Sequence, residues 1–166
     1  WAVAGASDSK LVDAQAGAEA MFSVITALLS RANLIHDVGY LEYGTTSSLE
    51  MVVMVDELVA MSRHFVEGIP VDRRTLAVEA VERVARGGSG SMFLTDEHTF
   101  ENFRDSLFRP RLLDRSRYDA WQQAGGSDLF QRCKQEARRL LGEHRPRVLP
   151  AEVLREIQRV VKGSSA

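Results

Sequence analysis

Between Asp13 and Ser30 the only ionisable side chain after Asp13 itself is Glu19. A stretch this apolar and this long reads as a helix buried on most of its sides, so its surroundings must set the fold. Ala14, Ala16, Gly17, Ala18 and Ala20 keep its first turns thin, which lets another backbone approach closely. At about 100° per residue, Gln15, Glu19, Ser23, Thr26 and Ser30 share one narrow polar stripe, suited to water or a neighbouring polar loop.

Short apolar segments flank this helix. Trp1 to Val3 reads as the close of a strand and Gly5 to Ser9 as a turn-rich link. Asn33 to Asp37 reads as a short buried strand centred on Leu34-Ile35, and Gly39 to Gly44 as the loop that leaves it. Ser47 with Glu50 gives a capping box before a second long helix that ends at Gly68. On that helix Met51, Val55, Leu58, Ser62 and Phe65 are expected on one face, with Asp56, Arg63, His64 and Glu67 on the other. Asp72 caps a further helix, Thr75 to Arg86, and Met92-Phe93-Leu94 reads as one more short strand. The remainder is expected to be helical, roughly His98 to Arg109, Arg117 to Ala124, Asp128 to Glu143 and Pro150 to Lys162.

Strand, helix, strand, helix, with buried strands, is the order of parallel βα units, here in an α/β chain dominated by helix. Two or three short strands do not close a sheet, and the opening Trp-Ala-Val-Ala-Gly lacks an initiator Met. The expectation is therefore a piece of a larger protein. Residues 1–100 are read as the last βα units and 101–166 as a carboxyl-terminal helical extension.

Composition bounds the functional classes. A chain that is 45% hydrophobic and 27% charged is an ordinary globular balance, and no apolar run approaches the ~18 residues of a membrane span. Cys133 is the single cysteine, so no intrachain disulfide framework exists, and the cytoplasm is the default reading. Residues 1–100 hold fourteen Asp/Glu and seven Lys/Arg, against nine and fourteen in 101–166. The basic tail alternates its arginines with carboxylates at helical spacing and has no stacking series of aromatics, so a solvated surface is preferred to a nucleic-acid interface.

Three constellations carry chemistry. Asp8-x-Lys10-x-x-Asp13-x-Gln15-x-x-x-Glu19 feeds a helix amino end; Asp13 is accounted for as a cap, while Gln15 and Glu19, four apart, share a face and can orient a ligand. His36, Tyr40, Glu42 and Tyr43 follow the second strand, and parallel sheets place their sites at the carboxyl ends of strands. Tyrosine faces attract a desolvated cation, and a nearby carboxylate adds charge, as quaternary or tertiary ammonium groups require. Packing around a core histidine is the competing account. Gly87-Gly88-Ser89-Gly90-Ser91 lacks the Gly-Lys-Ser/Thr of a phosphate loop and reads as a flexible cap and hinge. Asp96-Glu97-His98-Thr99 has no second His or Cys at metal spacing, so Asp96 or Thr99 is expected to cap a helix and no metal is expected. His64 and His144 are expected to face solvent.

Taken in order, Asp8-Ser9-Lys10-x-x-Asp13-x-Gln15-Ala16-Gly17-x-Glu19, then Ala32-Asn33-Leu34-Ile35-His36-x-x-Gly39-x-Leu41-Glu42, then Gly68-Ile69-x-Val71, Phe93-Leu94-x-x-x-His98-Thr99, Arg109-Pro110 and Tyr118-x-x-Trp121-x-x-Ala124-Gly125, the chain resembles the trimethylamine methyltransferase (MttB-type) family. The resemblance covers nearly the whole chain and, by length, the carboxyl-terminal third of such a protein. It implies the last part of a (β/α)8 TIM-type barrel. It also implies transfer of a methyl group from a methylated amine to the cob(I)alamin of a separate corrinoid protein, with no corrinoid held by this chain. In the archaeal trimethylamine enzymes pyrrolysine assists, whereas many relatives lack it and use quaternary amines such as glycine betaine. The family pattern runs from the Gly-rich loop into His-Phe-Leu; here Met92 precedes Phe93-Leu94, so no role passes to that position.

On this reading Tyr40 and Tyr43 are cation-π walls, Glu42 the charge complement, and His36 and Gln15 polar anchors for the substrate. The isolated chain is expected to be inactive, because barrel sites draw on loops from several strands. The rival is a non-catalytic helical interaction or ligand-sensing module. A homo-oligomer is a further expectation, formed by pairing of exposed edges at Trp1, Leu34-Ile35 and Phe93-Leu94.

Overall fold

The computed structural model describes residues 1–87 and 91–163. Among these the chain is α/β and dominated by helix. β1 (Ala2–Val3) and β2 (Ile35–His36) pair in parallel with Ala2 opposite Ile35 and Val3 opposite His36. The connection between them is α1 (Ala14–Leu29), so the expected βα order is present. β3 (Tyr40–Leu41) and β4 (Thr46–Ser47) form an antiparallel hairpin around a 3-10 turn at Glu42–Gly44. The stretch after Gly39 is thus a hairpin rather than a plain loop.

That hairpin shifts the start of the next helix. Ser47 pairs with Tyr40, and Ser48 instead caps α2 (Leu49–Glu67), accepting from Met51 N at 3.3 Å while its hydroxyl donates to Glu50. α1 starts as expected, with Asp13 accepting from Ala16 N. It is not buried on most sides. Ala16, Ala20, Val24 and Ala27 form one buried stripe against α2, while Phe22 and Leu29 are 75% and 59% exposed. The small residues permit the close approach of α2 at that stripe, and among the described residues Phe22 and Leu29 on the other sides stay exposed.

Met51, Met54, Val55 and Leu58 of α2 complete the core with Ala4, Leu41, Leu112 and Cys133. Ser62 is buried as expected, but Phe65 is 64% exposed; the buried face runs instead through Glu57. His64 is partly covered by Phe108, their rings 6.0 Å apart, while His144 is exposed.

The expected helix from Thr75 to Arg86 is broken into α3 (Arg73–Leu76) and α4 (Val78–Arg86) by Ala77 at φ 52°. His98 Nε2 donates to the Arg74 carbonyl at 2.7 Å, taking the acceptor that an unbroken helix would offer to Val78 N–H. Asp72 caps α3 in a capping box with Thr75. Gly87 ends α4, and the rest of the predicted hinge at Gly88 to Gly90 lies outside the described residues.

Met92-Phe93-Leu94 is not a strand. Phe93–Thr95 is a 3-10 turn, closed by Thr95 N donating to Met92 O and Asp96 N to Phe93 O, and Asp96 then caps α5 (Glu97–Ser106). Helices α6 (Tyr118–Gln123), α7 (Leu129–Glu143) and α8 (Ala151–Gly163) follow close to expectation. α7 packs on α2 through Cys133 and Ala137. Burial, and next the negative charge of Glu57, push the Cys133 thiol up to about 11.

Candidate functional site

The loop leaving β1 and the segment leaving β2 diverge at the carboxyl end of the parallel pair. Between them opens a cleft of about 430 Å³, lined among others by Ser7, Asp8, Glu19, Asp37, Tyr40 and Tyr43. Two glycines fix the spacing of its walls. Gly39 N donates to Gly5 O at 3.1 Å, and Gly5 N in turn donates to Ser23 Oγ of α1 at 3.1 Å. The polar stripe of α1 therefore meets a polar loop, one of the two contacts its pattern allows.

Glu19 is the electrostatic centre of this arrangement. Its Oε2 accepts from Ser7 Oγ at 2.6 Å and Asp8 N at 2.9 Å, and its Oε1 from Gln15 Nε2 at 2.8 Å. These donors hold its carboxyl below the usual range, the Ser7 hydroxyl first and Gln15 next. A lowered folded pKa contributes stability that is present above the unfolded value and lost as pH falls through the folded one. Wild-type chain is therefore expected to lose order at Ala6 to Lys10 on acidification to below the ordinary glutamate pKa, and Glu19→Gln to lack that titration. Amide chemical shifts of Ser7 and Asp8 against pH check this; identical profiles would remove Glu19 as the fastening group.

The other predicted residues are placed unequally. Tyr40 and Tyr43 both line the cleft, Tyr43 at φ 55° within the turn and 77% exposed. Lys10 Nζ, which donates to Asp8 O, lies 5.3 Å from the Tyr43 ring centroid, so that ring already faces a cation. Gln15 reaches the site through Glu19. Glu42 does not line the cleft; its carboxylate accepts from Thr45 Oγ1 at 3.1 Å and Thr46 Oγ1 at 3.4 Å and braces the turn that carries Tyr43. His36 stacks on Trp1, ring centroids 4.7 Å apart, and its Nδ1 lies 2.8 Å from Oδ1 of Asp37, which lines the cleft. Its Nε2 is buried and has no hydrogen-bond partner among the described residues.

Asp37 was missed because an acid ending a strand reads as a turn residue. Glu19 was legible as half of the Gln15–Glu19 pair, but only the fold shows that the glutamate is the member facing the cleft. The arrangement can hold a compact organic cation: two phenol faces, three carboxylates and a floor of Val3 and Ala6. Among the described residues no group of three potential ligands is placed to hold a metal, and no helix is long and apolar enough to cross a membrane.

Comparison with known proteins gives the class its name. The family model described as Trimethylamine methyltransferase (MTTB) matches residues 1–164. The chain is 36% identical over 160 residues to Trimethylamine methyltransferase MttB of Methanosarcina barkeri (strain Fusaro / DSM 804), covering 96% of this chain and 32% of that protein. It is 35% identical over 155 residues to Glycine betaine methyltransferase of Desulfitobacterium hafniense (strain Y51), covering 93% and 32%. The chain belongs to the trimethylamine methyltransferase (MttB) family. It spans about a third of the length of these relatives.

Proposed function

We propose that this chain supplies part of the amine site of a methyltransferase that moves a methyl group from a tertiary or quaternary methylamine to the cob(I)alamin of a separate corrinoid protein. On this reading β1, α1 and β2 are the last βα units of a (β/α)8 barrel working in the cytoplasm, and the cleft is part of its rim. The observation that carries the reading is the cleft itself, with Tyr40, Tyr43 and Glu19 converging at the carboxyl end of a parallel pair in a chain of this family.

The acceptor corrinoid, held by its own protein, supplies the nucleophile. The donor C–N bond breaks with its electron pair remaining on nitrogen, so the amine leaves as the methyl departs. This chain has three tasks. The phenol faces of Tyr40 and Tyr43 hold the ammonium by cation-π attraction, worth about 0.5–2 kcal/mol each according to desolvation. Glu19, already fixed by three donors, offers charge without further ordering cost. Val3 and Ala6 keep water from the apolar side. Glu42 holds the Tyr43 turn, while His36 and Gln15 orient Asp37 and Glu19.

The test is methylamine-dependent methylation of cobalamin by the gene product that carries this chain. Tyr40→Ala and Glu19→Gln are each expected to lower the rate about tenfold or more at subsaturating amine, and Glu42→Gln to act less strongly. Unchanged rates in the first two variants would remove the cleft from the site.

A further inference from the structure

From Arg73 to Arg86 the sequence holds neither Gly nor Pro, and Leu76, Ala80, Val81 and Val84 keep helical spacing throughout, so nothing local stops one helix from running the whole length. The chain breaks there all the same. Ala77 takes φ 52° and ψ 33°, the left-handed region, which a residue with a side chain enters only under strain. Among the described residues no side chain caps α4. The amides of Val78, Glu79 and Ala80 therefore forgo the Arg74, Thr75 and Leu76 carbonyls that a continuous helix would give them. A strained residue and an uncapped end both favour the straight form.

What opposes them comes largely from α5. His98 Nε2 lies 2.7 Å from the Arg74 carbonyl, and since a carbonyl only accepts, Nε2 carries the proton. Arg74 donates to Asn102 Oδ1, and Asn102 Nδ2 to the His98 carbonyl at 2.7 Å, so α5 grips α3 at two points. Beyond the break Arg83 binds Asp96, the cap of α5, at 2.9 and 3.2 Å. Arg73 donates to Glu79 Oε1 at 2.8 and 3.1 Å across the break itself. On a continuous helix residues six apart are about 9 Å apart along the axis and on different sides, so that pair belongs to the broken form. Exposed ion pairs of this kind contribute little. Only the His98 contact occupies an atom that the straight helix needs.

We infer that residues 73–86 form a two-state joint, broken at Ala77 while His98 holds the Arg74 carbonyl and continuous when His98 lets go. The joint borders a cavity of about 710 Å³, in which Arg74 and Thr75 of α3 form one wall, His98 and Asn102 of α5 another, and the end of α2 a third. Straightening moves the first wall away from the second, so the two states give that cavity different shapes.

Hydrogen–deuterium exchange on the gene product that carries this chain tests it. In the wild-type protein the amides of Val78, Glu79 and Ala80 are expected to exchange fast, and in His98→Ala at least about tenfold more slowly, as they gain carbonyl partners. His98 is half-buried and outside the hydrophobic core, so the variant keeps its fold. His98→Gln, which still offers an N–H, is expected to keep the wild-type rate. Ala77→Ile should slow the same amides with His98 in place, because a β-branched residue resists the left-handed region. Adding Ala77→Gly to His98→Ala should restore fast exchange, because glycine enters that region freely. Slow exchange of these amides in the wild type, unchanged exchange in His98→Ala, or faster exchange across all of 73–86 in that variant would each overturn the inference. The last outcome would mean that α5 merely props up two helices that do not join.

Discussion

Replacing Glu57 by Ala is expected to destabilise the chain by about 3 kcal/mol. Glu57 is 2% exposed, on the buried face of α2. Its oxygens accept the backbone N–H groups of Arg111 at 2.7 Å, Leu112 at 2.8 and 3.0 Å, and Leu113 at 2.7 Å. Arg111 also reaches Asp56 at 2.7 Å, and Arg132 Nε donates to the Leu112 carbonyl at 2.7 Å. One carboxylate thus satisfies three donors of a segment with no secondary structure of its own. With alanine there, those donors are left unpaired beside a cavity, and Leu112 loses its fixed place in the core. Urea denaturation measures the stability, and trypsin cleavage after Arg111 should quicken while α1 and α2 stay helical by circular dichroism. Glu57→Gln keeps the shape but gives up one acceptor, and should cost about half as much. A loss below about 1 kcal/mol for the alanine variant would show that the segment is held by Leu112 packing alone.

Gly39→Ala should cost about 3 kcal/mol, from two separable sources. Gly39 has φ +91°, where a side chain is strained by ~1 kcal/mol, and a Cβ there would lie 2.3 Å from Val52 Cγ2. Its N–H binds Gly5 O and its carbonyl accepts from Ser48 N, so any shift to relieve the clash pulls on both the cleft wall and the cap of α2. In a double-mutant cycle, Val52→Ala should recover the steric part and leave the backbone part. If Gly39→Ala is neutral in both backgrounds, the turn does not hold the cleft in the geometry described.

Local signals were legible wherever one short stretch decides the outcome. Asp13, Asp72, Asp96 and Asp128 cap helices because a short polar side chain before an apolar-periodic run has few better partners than the free N–H groups that follow it. The parallel pairing of Ala2–Val3 with Ile35–His36 was likewise foreseeable, since a long helix between two short apolar segments leaves few other connections. Met92 to Leu94 shows the limit of such reasoning. Three apolar residues become a strand only with a partner, and here turn hydrogen bonds satisfy the backbone instead. At Ala77 the helix breaks where His98, twenty-one positions on, takes the Arg74 carbonyl, a contact that no periodicity within α3 and α4 could show.

By itself, the sequence determined the βα order, the capped helices, the family and the presence of Tyr40 and Tyr43 in a stretch suited to cations, because these depend on neighbours within a few residues or on the order of motifs. Tertiary structure alone decided that Glu19 rather than Glu42 faces the cleft, that Glu57 is buried, and that α1 exposes Phe22 and Leu29. A carboxylate on a helix can face water, a ligand or a distant loop with the same local pattern. Which it meets depends on donors brought by other elements, here Ser7 and Asp8 for Glu19 and residues 111–113 for Glu57.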